Sequence, residues 1–178
     1  HRVEHQRRIS INEMPELLRA IDAYDGVLAR LGLQLMALTF VRHGELRGAR
    51  WSEFDFETKL WTIPAERMKM KKEHRVPLSD RALSILKSQP RIDENPLVFP
   101  APRGIQMSDA TMSAVLKRMG VDATVHGFRS SFRDWCGDYT NYPRDLAEQC
   151  LAHGADDPVE AAYRRGDALE RRREIMNE

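Results

Sequence analysis

Residues 53–78 break the rhythm of an otherwise helical sequence. Phe54–Asp55–Phe56 alternates apolar and acidic, and Leu60–Trp61–Thr62–Ile63–Pro64 is rich in strand formers. Glu57–Thr58–Lys59 between them has the composition of a turn. After Ala65 to Lys72, His74–Arg75–Val76–Pro77–Leu78 supplies a third strand. Strands so short and so close in sequence pair with their neighbours, which predicts a small antiparallel sheet. Its second turn is basic, M-K-M-K-K-E over 68–73, and composition does not say which lysine matters.

On both sides the apolar residues return at helical spacing. Met14–Pro15–Glu16 opens a helix that stops by Gly26, with Asn12 or Glu13 to serve its free N–H groups and Leu17, Leu18 and Ile21 as its apolar face. A more buried helix follows from about Val27 to Phe40, carrying Leu28, Leu31, Leu35 and Leu38. Gly44 predicts a break after Arg42, with a short helix resuming at Glu45 and Trp51 packing in the core. Ser79–Asp80 caps a helix to about Gln89, and Pro90, Pro96, Pro100 and Pro102 mark a loop-rich crossing with Leu97–Val98–Phe99 as a short strand. Helices are further predicted over Ala110–Met119, His126–Asp138 and Arg144–Leu151, over 159–165, and over Ala168–Met176. His153–Gly154 terminates the one that ends at Leu151, and residues 1–10 read as a linker or frayed end.

A chain of 178 residues fits one domain with a real core, and 42% hydrophobic with 31% charged residues suits a globular protein. No apolar run approaches a membrane span, and no signal peptide opens the chain. Cys136 and Cys150 lack C-x-x-C spacing and read as reduced structural thiols of a cytoplasmic protein. The net charge of +1 says little, but its distribution is uneven. Arg67, Lys69, Lys71, Lys72 and Arg75 form one basic cluster, and Arg164, Arg165, Arg171, Arg172 and Arg173 another, which points toward a phosphate backbone.

Chemistry concentrates between 126 and 163. His126 and Arg129 stand at i and i+3, on one face of a helix, where a guanidinium fork and an imidazole N–H can donate to one phosphate. Arg42 closes a buried helix, so its charge needs a partner such as Glu45, or a ligand. No metal-ligand spacing is present, so positive charge must come from side chains. Tyr163 lies among basic residues, whereas Tyr24, Tyr139 and Tyr142 lack a basic and histidine neighbourhood.

Taken in order, R-x-G-E-L at 42–46, H-x-x-R at 126–129, L-A-H at 151–153 and then Tyr163 resemble the active site of the tyrosine recombinases, the phage integrase family. The longer wording, H-G-F-R-S-S-F-R-D-W and V-E-A-A-Y-R-R-G-D, is similar to prophage and genomic-island integrases in particular. The resemblance implies a mainly α-helical fold with a small three-stranded antiparallel β-sheet. It implies one catalytic domain over 1–178, the family's N-terminal DNA-binding domains lying outside this chain. It casts Tyr163 as nucleophile, Arg42 and Arg129 as holders of the non-bridging phosphate oxygens, and His126 and His153 as hydrogen-bonding and proton-handling groups. The general-acid lysine of the family precedes the V-P proline by eight positions, which from Pro77 selects Lys69. Lys71, Lys72, Arg75, Arg164 and Arg165 are left as DNA-backbone candidates.

The implied activity is site-specific recombination, integrating or excising a mobile element through a covalent 3′-phosphotyrosine. Double-stranded attachment sites and a homotetramer are the implied partners. No cofactor, metal, membrane or small-molecule substrate is expected, and the location is a bacterial cytoplasm, on the nucleoid when bound. A type IB topoisomerase would use similar groups, and an inactive DNA-binding remnant would keep them without using them.

Overall fold

The computed structural model describes residues 9–92, 94–154 and 166–178. Strands β1 (Phe54–Asp55), β2 (Leu60–Ile63) and β3 (His74–Pro77) form one antiparallel sheet in sequence order. β1 ends a residue earlier than its sequence predicts. The Asp55 carboxylate accepts from the N–H groups of Glu57 (2.9 Å) and Thr58 (3.0 Å), which starts the turn early. Along β2 the alternation buries Trp61 and Ile63. The register sets Trp61 opposite Val76 and Ile63 opposite His74. Opposed residues of an antiparallel pair share a face, so His74 points inward beside Ile63.

Eight helices are described: α1 (Met14–Asp22), α2 (Val27–Thr39), α3 (His43–Arg47), α4 (Asp80–Ser88), α5 (Thr111–Arg118), α6 (Gly127–Tyr139), α7 (Arg144–Cys150) and α8 (Leu169–Asn177). Mainly helical with one small sheet, the architecture is the expected one. Of Asn12 and Glu13, Glu13 is the residue that precedes α1, and Ser10 brackets it: the Ser10 N–H donates to Glu13 Oε2 (3.1 Å) and the Glu13 N–H to Ser10 Oγ (3.3 Å). The linker expected over 1–10 is already part of the fold at Ile9, which is buried and whose carbonyl accepts from Ser131 Oγ at 2.5 Å.

α2 buries Leu31, Leu33, Leu35 and Met36 and is the central helix. Each large side chain buried this way contributes about 1.5–3 kcal/mol. It packs closely on α5, where a Cβ at Gly32 would meet Met112 Cε at 2.4 Å. The strand expected at Leu97–Val98–Phe99 is reduced to an isolated bridge between Arg50 and Leu97, with Val98 and Phe99 fully buried. Trp51 is only half-buried, under the Arg91 guanidinium at 4.4 Å. α8 docks on β3 and α7 of its own chain, burying Ile175 and Met176. Cys136 and Cys150 are free, and burial pushes both thiols up to about 12. No helix among the described residues is long and apolar enough to cross a membrane.

Candidate active site

Two helix C-termini and one N-terminus converge on Arg129. α2 ends at Phe40, held in the left-handed region at φ 53°. α7 ends at Leu151, and α6 begins after His126. Arg129, in the first turn of α6, is only 4% exposed. Its Nη1 donates to the Phe40 carbonyl, and its Nη2 to the Leu151 carbonyl (2.6 Å) and to His153 Nε2 (3.0 Å). Terminal helix carbonyls lack intrahelical donors, so a guanidinium satisfies them well. Among the described residues no carboxylate hydrogen-bonds Arg129, and its buried Nε has no partner.

Burial first, and then the nearby Arg42, lower the Arg129 pKa to about 10. That value is well above neutrality, so the site keeps a buried cation that Glu45 and Glu148 offset only through space and that no carboxylate among the described residues bonds directly. Such a charge is costly to the fold and marks a place where a ligand supplies the anion.

His153 owes its place to how α7 stops. The His153 N–H donates to the Glu148 carbonyl (2.9 Å) and the Ala152 N–H to the Gln149 carbonyl (3.1 Å). This is a Schellman arrangement, whose left-handed position is normally glycine. Here it is Ala152, at φ 50°, just ahead of the His153–Gly154 pair expected to end the helix. The imidazole Nδ1 lies 2.5 Å from Glu148 Oε2. Arginine cannot accept, so the bond from Arg129 makes Nε2 the acceptor and puts the His153 proton on Nδ1, donating to Glu148. Glu148 is itself steadied by Arg133, whose Nε lies 2.8 Å from its Oε1.

Arg42 sits immediately before α3. The Glu45 carboxylate accepts from its backbone N–H (2.7 Å) and from its Nη1 (3.0 Å), an i,i+3 pair that leaves the guanidinium side chain 26% exposed. The pair does not use up Arg42, since a guanidinium carries five donors. His126, at the start of α6, is exposed, with its pKa lowered by partial burial and then by Arg129, Arg42 and His153. Arg129 thus bonds His153 directly, while Arg42 and His126 lie near enough to act on it through space.

The basic turn and His153 border one cleft of about 260 Å³, lined by Met70, Lys72, His74, His153, Gly154 and Gly166, among others. Lys69, Lys71 and Lys72 are all exposed. Lys72 lines the cleft and Lys69 is not among its lining residues. Arg75 is already engaged: its Nε and Nη2 donate to the two Asp167 carboxylate oxygens at 2.7 Å each. That bidentate bond is the first cause of the lowered Asp167 pKa. Arg172 of α8, 1% exposed, donates to the carbonyls of Asp167 (2.6 Å) and Arg75 (2.7 Å), and reinforces the cluster.

Sequence reasoning missed His74. Its imidazole is buried, hydrogen-bonds to the Cys150 carbonyl, and is pulled down to about 3 by burial and then by Arg172, Arg129 and Arg42. It is therefore a neutral donor tying β3 to the end of α7, and its parity with Val76 on β3 was the available signal. Glu148 gave no such signal.

Tyr163, Arg164 and Arg165, and the helix expected over 159–165, lie outside the described residues. Gly154 and Gly166, the described residues on either side, both line the cleft beside His153. Of the other tyrosines, Tyr139 is exposed and Tyr142 donates to Glu178 (2.8 Å). Tyr24 does have a basic neighbour, accepting from Arg118 at 3.1 Å, but no histidine among the described residues bonds it. Among the described residues no group of three or more His, Cys, Asp or Glu could hold a metal ion.

The sequence model of the phage integrase family matches residues 7–168. The integrase of Enterobacteria phage P4 is 37% identical over 196 residues, covering 98% of this chain and 45% of its own length. The chain thus spans less than half of that relative. The fold is similar to the integrase from mycobacterium phage Brujita, with a TM-score of 0.75 at 18% identity over 99% of this chain and 58% of that one. A lambda integrase tetramer bound to a Holliday junction matches with a TM-score of 0.65 at 20% identity, over 88% of this chain and 50% of that one.

Proposed function

The chain belongs to the phage integrase family, and from that premise we propose that it breaks and rejoins DNA strands at specific sites, forming a covalent 3′-phosphotyrosine. The observation that carries the proposal is the buried guanidinium of Arg129, charged, bonded to carbonyls and one imidazole, with Arg42 beside it. A scissile phosphate supplies the anion that this cation lacks.

In the proposed reaction the Tyr163 oxygen attacks phosphorus and the bond to the 5′-oxygen breaks. Arg42 and Arg129 hold the non-bridging oxygens through preorganised donors, the usual largest contribution to such a step. His126 and His153 add hydrogen bonds, with His153 oriented through Glu148. Lys69 protonates the leaving 5′-oxygen, and Lys71 and Lys72 contact the DNA backbone. The 5′-hydroxyl of another strand then attacks the phosphotyrosine and releases the tyrosine. The bond energy stays in the covalent link, so no cofactor enters. DNA attachment sites and assembly into a homotetramer on DNA are proposed by analogy with the lambda integrase complex.

Nicked suicide DNA tests this, because loss of the short 5′ fragment traps the adduct. The protein should form one, and Tyr163→Phe should abolish it with little loss of DNA binding, since one hydroxyl goes and every cation stays. An adduct that persists in Tyr163→Phe, or that maps to Tyr139 or Tyr142, overturns the assignment.

A further inference from the structure

We propose that Arg67 is a positioning residue that fixes the Lys69 turn against the helix following Arg42, an inference that rests on the strand-cleavage reading above. By composition Arg67 belongs with Lys69, Lys71, Lys72 and Arg75 in one basic stretch. The structure separates it from them. Arg67 ends a 3-10 turn, Ala65–Arg67, and its side chain is 16% exposed against a Glu53 side chain that is 5% exposed.

Nη1 donates to both Glu53 carboxylate oxygens at 2.5 Å, and Nη2 donates to the backbone carbonyl of Glu45. Glu53 is held from other directions as well, accepting from Trp61 Nε1 (2.9 Å) and from the Arg50 N–H (3.3 Å). Glu45, whose carbonyl Arg67 grips, is the residue whose carboxylate holds Arg42. One guanidinium therefore bridges the base of the lysine turn, the buried end of the sheet, and α3. Gly48 makes room for it, since a Cβ there would meet Arg67 Nη2 at 3.0 Å and Nε at 3.2 Å.

The backbone turn at Lys69 is closed by the Lys71 N–H donating to the Met68 carbonyl at 3.1 Å, and the lysine side chain has little else to place it. Every residue from Lys69 to Glu73 is exposed, and the Lys69 ammonium has no hydrogen bond or ion pair among the described residues. The last anchored residues before it are Arg67 and the buried Met68. A general acid must lie within hydrogen-bond reach of the oxygen it protonates. A misplacement of about 1 Å can cost on the order of 10²-fold in rate. By contrast, the Arg42–Glu45 pair is local at i,i+3 and should survive without Arg67. Loosening Arg67 should therefore impair proton delivery and spare the phosphate clamp.

Arg67→Lys keeps the charge but lacks the planar fork needed to reach Glu53 and the Glu45 carbonyl together. Glu53→Gln keeps the shape of the partner and removes its charge. Both are assayed on nicked suicide DNA with an ordinary bridging 5′-oxygen and with 5′-sulfur, whose leaving thiolate needs little protonation. Thermal unfolding and DNA binding are measured alongside. Cleavage of ordinary DNA should fall by about 10²-fold in Arg67→Lys, with DNA affinity kept and most of the loss recovered on the sulfur substrate. Glu53→Gln should show the same recovery.

Equal losses on both substrates, or parental rates on ordinary DNA, overturn the inference. If the parent forms no adduct on either substrate, the strand-cleavage reading itself falls. If the parent cleaves and sulfur rescues Lys69→Ala but not Arg67→Lys, the positioning role alone is lost.

Discussion

Replacing Arg129 by methionine should separate stability from activity. The drop of its pKa from the ordinary guanidinium value to about 10 is worth about 3 kcal/mol at 1.36 kcal/mol per pH unit, and methionine removes that cost. Against it stand the bonds to the Phe40 and Leu151 carbonyls, each leaving a desolvated acceptor worth about 1–3 kcal/mol. The terms largely offset, so the stability of Arg129→Met at neutral pH should lie between about 1 kcal/mol above and about 3 kcal/mol below the parent. The sign with pH is definite. A basic group whose folded pKa is depressed makes the unfolded chain bind more protons above that pKa, so parental stability rises relative to the mutant as pH passes through 10. Between pH 8 and 11 the relative gain should be about 1 kcal/mol. Urea titrations of both proteins across that range measure it, and suicide-substrate cleavage by the mutant should be lost throughout. A flat difference, or a neutral-pH loss well above about 4 kcal/mol, would refute the buried-cation account of this site.

Two further outcomes are expected. Cleavage should survive excess EDTA, because Arg129 and Arg42 supply the positive charge; loss on chelation with recovery on added magnesium counts against that division of labour. At the end of α7, Ala152 occupies the left-handed region at a cost of roughly 1–2 kcal/mol, part of which glycine would return as lost chain entropy. Ala152→Gly should therefore be as stable as the parent or up to about 1 kcal/mol more so, and Ala152→Val less stable. Thermal unfolding gives the order, and the reverse order would mean that Ala152 is not strained.

The helices were legible because α1, α2, α4, α5 and α6 each carry an apolar face at a constant period, and the sheet because that period changes at 53–78 and returns. What proved illegible was where chain ends are tied. Phe40 and Ala152 adopt left-handed conformations that glycine or asparagine would have advertised. Arg129 was found because H-x-x-R is a local spacing, but its bonds to Phe40 and Leu151 span 89 and 22 residues and leave no periodic trace. His74, Glu148, Arg172 and the Arg67–Glu53 pair are of the same kind. Each acts through a partner that only the folded chain brings near. Leu97–Val98–Phe99 failed as a strand for a related reason: strand-forming residues make a ladder only when a partner runs alongside, and here the pairing stops at Leu97.

Charge shows the same limit more sharply. Counted along the sequence, the stretch from Arg67 to Arg75 is one basic patch. In the fold, Glu53 takes Arg67, Asp167 takes Arg75 and Arg172, and the basic residues left exposed on the turn are Lys69, Lys71 and Lys72. Positive potential is therefore sorted into two kinds. The turn lysines lie in water, where salt screens them over about 8 Å at physiological strength. Arg129 lies where burial denies it both water and a bound carboxylate, and salt reaches it poorly. On the proposed function the two kinds do different work: the turn gathers DNA in a salt-dependent way, and the buried guanidinium acts on the single phosphate that arrives beside it. A net charge of +1 is compatible with strong phosphate chemistry because the decisive charge is placed by burial rather than by number.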